Sequence, residues 1–251
     1  MNNRIFFDLH THTKYSHGKG RIADNAAMAA GIGLTRLGIS DHGPGCLTFG
    51  IDLNGVPSMR KDIEAAKKLF PGLEILLGVE ANTANADGTL DISKEDQKLF
   101  DYVIAGYHYS YLGKKPFAGI GVVLGGLAHE RGVTSSEHAR ARNTDFIVNS
   151  LYENDIYILA HPGDKADFDI DAIAKACEQT DTIMEINNRH HCLTVEGIRT
   201  AMEYDVKFIL SSDAHTPGAV GNVEKAWERV VLAGLEPSRI INLREDQQWS
   251  L

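Results

Sequence analysis

The sequence predicts an α/β fold, a TIM-like (β/α)7 barrel with a metal site at the C-terminal rim of its strands, and three observations carry that expectation. One unit recurs seven times: a short apolar run, a polar tip, a loop and a helical pattern. The runs are almost continuously apolar, as strands buried on both faces of a parallel sheet are. Nearly all their tips hold metal-competent residues, and a closed barrel brings every strand's C-terminal end to one rim. A doubly wound open sheet also fits the alternation, but there only the strands beside the switch point should carry functional tips. The barrel is therefore preferred, as a single domain over residues 1–251.

The first run, residues 5–12, contains Phe6-Phe7-Asp8-Leu9-His10-Thr11-His12. Residues two apart in a strand share a face, so Asp8, His10 and His12 should project together, with the imidazoles ~6.7 Å apart and able to reach one ion. A helical stretch at 23–31 leads to the second run, 37–42, which ends in Asp41 and His42. Ser58 opens a helix to residue 70 that Pro71-Gly72 stops. The third run, 73–79, ends in Glu80, and the fourth, 101–106, ends in His108. A helix at 143–153 precedes the fifth run, 156–160, whose tip is His161-Pro162-Gly163. Helix 169–179 and run 182–186 follow, ending in Asn187-Asn188. Helix 194–204 and run 206–212 end in Asp213-Ala214-His215, and a last helix spans 222–233.

Composition narrows the function. A net charge of −9 argues against a nucleic-acid surface as the default. Cys46, Cys177 and Cys192 are odd in number and lack CxxC spacing, which fits a reducing compartment. No leader pattern and no long apolar span is present, so a cytoplasmic protein is expected, with no membrane partner. The eleven histidines need a reason, and the tips supply one. His10, His12, His42, Glu80, His108, His161, Asp213 and His215, with His17 from the first loop, gather at one rim. So many imidazoles are awkward together unless something is coordinated. Nitrogen and oxygen donors without thiolates suit zinc, manganese or iron, and nine ligands are about right for three ions sharing a carboxylate.

Asp8-Leu9-His10-Thr11-His12-Thr13, Ile39-Ser40-Asp41-His42-Gly43, Gly78-Val79-Glu80-Ala81-Asn82, Ala160-His161-Pro162-Gly163, Glu185-Ile186-Asn187-Asn188 and Ser212-Asp213-Ala214-His215 together resemble the PHP (polymerase and histidinol phosphatase) superfamily, in its branch of stand-alone YcdX-like phosphatases. The resemblance runs from about residue 7 to about 242 and implies a distorted seven-stranded barrel with a trinuclear centre, in one PHP-type hydrolase domain with an insert at about 109–142. By motif it places His10, His12, Glu80 and Asp213 on the first metal. Glu80 bridges to a second held by His108 and His161, and His17, His42 and His215 hold the third. The loop 14–20 is one residue shorter than in the nearest relatives, which bears on His17, and the family pattern does not account for the long segment 109–142.

Three such ions suit a phosphomonoester. The expectation is a metal-dependent phosphatase in which a metal-bridging hydroxide attacks phosphorus, with Glu80 and Asp213 at the reaction centre and Arg189 as a bidentate phosphate clamp. Asp213 or a bound water would protonate the leaving group. Asp41 either orients a neighbouring ligand or is a solvated strand-end aspartate or loop cap. Within the insert, Gly119-Ile120-Gly121 and Gly125-Gly126 lack a phosphate-loop signature, and a cover over the site is the better reading. His129, Arg131, His138, Arg140 and Arg142 read as a solvated basic surface, with substrate recognition by one arginine as the alternative. His190, His191 and Cys192 read as surface polarity, with extension of the metal set as the alternative, and Trp227 and Trp249 as packing. The substrate would be a small phosphorylated metabolite. A nuclease or phosphodiesterase is the second reading, since the superfamily includes polymerase-associated exonuclease domains, and a non-catalytic metal-stabilised domain is the third.

Overall fold

The computed structural model describes residues 4–46, 48–83, 85–108, 124, 127–128 and 131–244. Their strands form one seven-stranded parallel sheet in sequence order. The strands are β1 (Phe7–Asp8), β2 (Arg36–Ile39), β3 (Glu74–Asn82), β4 (Tyr102–Gly106), β5 (Ile158–Leu159), β6 (Ile183–Asn187) and β7 (Phe208–Ser211). Helices α1 (Ile22–Gly31), α2 (Val56–Leu69), α3 (Lys94–Gln97), α4 (Glu137–Glu153), α5 (Ile170–Thr180), α6 (Val195–Met202) and α7 (Glu224–Ala233) lie between or after them. A sheet in which each crossover advances by one neighbour curls into a barrel. No helix among the described residues is long and apolar enough to cross a membrane.

Alternation along the strands separates two apolar cores. Val103 and Ala105 join the larger, which lies between sheet and helices, whereas Ile104 joins the smaller. The smaller takes Phe7, Leu9, Ile104, Ile158, Ile183 and Ile209 from around the ring and fills the interior. Toward the C-terminal ends the same inward face turns polar. Leu76 is followed two and then two residues later by Gly78 and Glu80, and Ile183 by Glu185 and Asn187. The barrel is therefore oily below and charged above. Tyr102 closes the lower end, with its hydroxyl donating to the Leu9 carbonyl at 2.6 Å. Gly38 and Gly78 make room for it, since a Cβ there would stand 1.9 Å and 2.3 Å from the tyrosine.

The ring closes at β7–β1 mostly through side chains. Asn242 is fully buried and donates to the carbonyls of Phe7 and Leu210 at 2.9 and 2.8 Å while accepting from the Leu210 amide at 3.1 Å. Asp8 accepts from the Ser212 hydroxyl at 2.5 Å and the Gly221 amide at 2.9 Å. Above them His12 donates to Ala214 with a backbone bond of 2.8 Å.

Several boundaries differ from the sequence reading. β1 is two residues long, so Asp8 does not share a face with His10 and His12 but turns into the seam. Glu80 lies within β3 rather than after it, because β3 runs on beside β4 to Asn82. Helix α4 begins at Glu137, capped by Ser136, and takes the last residues of the expected insert. The glycine-rich part of that insert, His129 and Trp249 lie outside the described residues. Trp227 is buried, with the Arg4 guanidinium over its ring.

Candidate metal centre

Glu80 stands at the middle of the polar rim, because β3 carries it inward from the centre of the sheet. Its Oε1 lies 2.8 Å from His161 Nε2, 3.3 Å from His108 Nε2 and 3.4 Å from His10 Nε2. Its Oε2 lies 2.9 Å from His42 Nδ1 and 3.5 Å from His12 Nε2. One carboxylate thus faces imidazoles arriving just beyond the ends of β1, β2, β4 and β5. Asp213 arrives beyond β7, with Oδ1 at 3.2 Å from His12 and 3.3 Å from His215. His17 closes the group, its ring centroid 4.2 Å from that of His215 and 4.8 Å from that of His42.

All nine sequence-expected ligands therefore meet at one rim. Three sets have donor atoms mutually within 4.8 Å: His10, His12 and Asp213; His42, Glu80 and His108; and His12, His42 and His215. The sets overlap the expected grouping without matching it, since His12 joins the set in which His17 was expected and His42 that of His161. Among the described residues, His10 Nε2, His12 Nε2, Glu80 Oε2 and Asp213 Oδ1 are buried with no hydrogen-bond partner. Buried polar atoms in native proteins are rarely left so, and convergent orphans fit divalent cations. Two candidate ligands also adopt left-handed backbone, His161 at φ 30° and Asp213 at φ 50°. Such conformations cost about 1–3 kcal/mol and gather at functional sites.

The protonation states suit the same conclusion. Burial opposes ionisation of Glu80 and Asp213, but the surrounding imidazoles, His42 and His10 foremost, hold both well below the usual carboxylate range. Burial and the neighbouring His42 push His12 well down, burial also lowers His42, and His17 falls to about 4 through burial, His215 and His42. Against burial, the carboxylates beside them raise His10 well above the ordinary histidine value and His161 to about 9, so a cation binding among these ionised carboxylates would displace protons from those two imidazoles.

Three supports were not assigned roles from the sequence. Glu185, fully buried on β6, lies 2.7 Å from His10 Nδ1 and accepts from the His161 amide at 2.7 Å and Asn187 Nδ2 at 2.8 Å. Asn82 lies 2.8 Å from His108 Nδ1, held in turn by Asp91. Asn187 donates to Asp213 Oδ2 at 3.2 Å. Asp41 is buried, not solvated, and accepts from the Thr13 amide and hydroxyl and the Ser16 hydroxyl, at 2.7, 2.6 and 2.5 Å. It fixes the turn that presents His17. A charged residue at an inward position of a buried strand was the available signal for Glu185.

Over the rim opens a cavity of about 470 Å³. Thr48 and Phe49 line one side, with Phe49 against the His17 ring at 4.3 Å, and Lys165, Arg189 and His190 line it too. His190 is not surface polarity: its ring sits between Asp164, 3.2 Å away, and Asp213, 3.4 Å away. His191 is exposed, and Cys192 points to Asp164. Arg131, Arg140 and Arg142 bond to Leu127, Phe168 and Asn143 and do not line the cavity. A second cavity, about 560 Å³, opens at the opposite end beside Lys98 and Tyr102, without a metal-competent cluster among the described residues.

The PHP domain family model matches residues 8–189. The chain is 27% identical to the protein called probable phosphatase YcdX of Shigella dysenteriae over 248 residues, 94% of this chain and 89% of that protein. The YcdX of Escherichia coli K12 matches to the same extent. Among solved structures, the zinc complex of histidinol phosphate phosphatase from Lactococcus lactis with L-histidinol and phosphate superposes with a TM-score of 0.61. It is 15% identical, covering 93% of this chain and 95% of that one, and bears on the fold alone.

Proposed function

The chain belongs to the PHP domain family, and from that premise and the rim geometry we propose that it is a metal-dependent phosphoesterase that hydrolyses a small phosphomonoester. The observation that carries the reading is Glu80, one ionised carboxylate facing five imidazoles with both its oxygens. His10, His12, Glu80 and Asp213 would hold one ion, Glu80, His108 and His161 a second, and His17, His42 and His215 a third, all drawn from zinc, manganese or iron. Bound there, divalent ions supply an acidified water and positive charge for a phosphoryl group at neutral pH.

The protein's own groups do the rest. Arg189 reaches the cavity, and its positive charge is felt at His17 across the rim. A guanidinium so placed would grip the phosphoryl oxygens and orient the ester. Asp213 lies between His12 and His190 and, being ionised, would take the proton released by the attacking water and pass it to the leaving oxygen. Phe49 and Thr48 would flank the leaving group and keep out water. The cavity lies within the ~300–1,000 Å³ usual for small ligands, which favours a monoester over a nucleic-acid strand. Relatives named as phosphatases support the same class.

The test compares p-nitrophenyl phosphate with bis-p-nitrophenyl phosphate in metal-replete enzyme, alongside Glu80→Gln. Preference for the monoester, about three metals per chain, and loss of both activity and bound metal in the variant are expected. Preference for the diester would move the reading to a phosphodiesterase. Wild type that binds no more than one metal would refute the multinuclear centre.

A further inference from the structure

The loop between β6 and α6, residues 188–193, brings Arg189 and His190 to the cavity, and a buried cation outside the cavity holds both its ends. Arg229 of α7 is only 9% exposed. Its Nη1 donates to the Leu193 carbonyl at 2.7 Å, its Nη2 to the Asn187 carbonyl and its Nε to the Lys225 carbonyl at 3.3 Å. These partners are all neutral oxygens. Burial draws the Arg229 pKa down, partly offset by the charge of Glu185, and among the described residues no carboxylate is bonded to it. A buried charge in such company is costly, and an apolar residue would pack there more cheaply. What an apolar residue cannot do is tie the carbonyl that precedes the loop to the one that ends it. A planar fork of donors can.

Two further ties point the same way. Asn188 Oδ1 accepts from the Lys225 and Ala226 amides at 2.9 and 3.4 Å, fastening the loop to the start of α7. Asn187 Oδ1 accepts the Arg189 and His190 amides, both at 2.8 Å, while its Nδ2 donates to Glu185 and Asp213. The backbone that carries Arg189 is thus referenced on one side to the carboxylates of the metal rim and on the other to Arg229.

We propose that Arg229 is a positioning residue for substrate: it fixes loop 188–193 so that the Arg189 guanidinium stands where the phosphoryl group binds. The proposal rests on the phosphoesterase reading. Arg229 touches no substrate and acts through the Asn187 and Leu193 carbonyls.

The experiment uses full-length, metal-loaded wild type, Arg229→Met, Arg229→Lys, Arg189→Ala and the Arg189→Ala/Arg229→Met double variant. It reads kcat and KM on p-nitrophenyl phosphate, inhibition by inorganic phosphate, metal per chain and thermal midpoint. Arg229→Met should weaken KM and phosphate inhibition about tenfold, the scale of one misplaced charge-assisted hydrogen bond. Metal content should stay at the wild-type level, and Arg229→Lys should recover part of the loss. In the Arg189→Ala background, Arg229→Met should change KM by less than about twofold, since its route to substrate is gone. Full additivity, or a lowered thermal midpoint with unchanged KM, overturns the proposal. If Arg229→Met does not fold, Asn188→Ala frees the same loop from α7, and an unchanged KM there overturns it equally. An active wild type with unaltered KM in Arg229→Met removes this proposal alone, whereas a wild type that neither hydrolyses the monoester nor binds phosphate removes the phosphoesterase reading with it.

Discussion

Replacing Glu185 by glutamine should weaken metal binding although Glu185 reaches no metal-facing position itself. As a carboxylate it only accepts, so the His10 nitrogen 2.7 Å away must carry the proton, leaving His10 Nε2 bare toward Glu80 and Asp213. Its other oxygen is filled by two donors, the His161 amide and Asn187. Glutamine cannot turn its NH2 toward those donors, so the amide nitrogen must face His10. His10 Nδ1 then has to accept, and the proton moves to Nε2, where a cation needs a lone pair. Outer partners of metal-bound histidines typically contribute 10–100-fold in affinity, which corresponds to about 1.4–2.7 kcal/mol. Competition against a chelator of known affinity would measure the weakest-held ion directly. Because the surrounding carboxylates raise the metal-free His10 well above the ordinary histidine value, NMR of the imidazole nitrogens in metal-free protein at alkaline pH, where His10 is neutral, would report the tautomer. Unchanged affinity with a switched tautomer would refute the link between the two, and an unswitched tautomer would refute the hydrogen-bond argument at its first step.

Two other outcomes follow from the described bonds. In metal-free protein burial lowers the proton affinity of His161, but its bond to Glu80 and that carboxylate's charge outweigh burial and push it up to about 9. A histidine raised above its unfolded value near 6.5 stabilises the fold fully below that pH and loses the contribution as pH climbs toward 9, here up to about 3 kcal/mol. Urea unfolding of chelated protein at several pH values should show this decline, and a flat profile between pH 6.5 and 9 would count against it. Asn242→Ala leaves three backbone groups of the β1–β7 seam without their side-chain partner. A loss of about 2–4 kcal/mol is expected, seen as a thermal midpoint roughly 4–16 °C lower; an unchanged midpoint would mean that the seam closes by other means.

The seven-strand order and the gathering of nine candidate ligands were legible because all but His17, which comes from the first loop, stand at the end of an apolar run, and a run of that kind has little choice but to be a buried strand. Glu80 was found by the same logic even though β3 extends past it. Strand lengths were not legible: 5–12 reads as one strand, yet pairing partners exist only at Phe7 and Asp8 within β1, so the alternation that should have aligned Asp8 with His10 stops there. Glu185 and Asn187 had no assigned role in the sequence, Asn187 standing only as a strand tip, because what they do depends on atoms brought by the segments after β1, β5 and β7. His190 looked like surface polarity for the same reason: Asp164 and Asp213 are 26 and 23 residues away in sequence and adjacent in space.

The seam gives the first cation set a mechanical meaning. His10 and His12 follow the first strand and Asp213 follows the last, so a cation held by all three would span the one joint where the ring lacks a full backbone ladder. It would act as a clasp. Stripping it should let the two terminal strands breathe apart before any other pair does, and faster amide exchange along that joint would register the loss ahead of global unfolding.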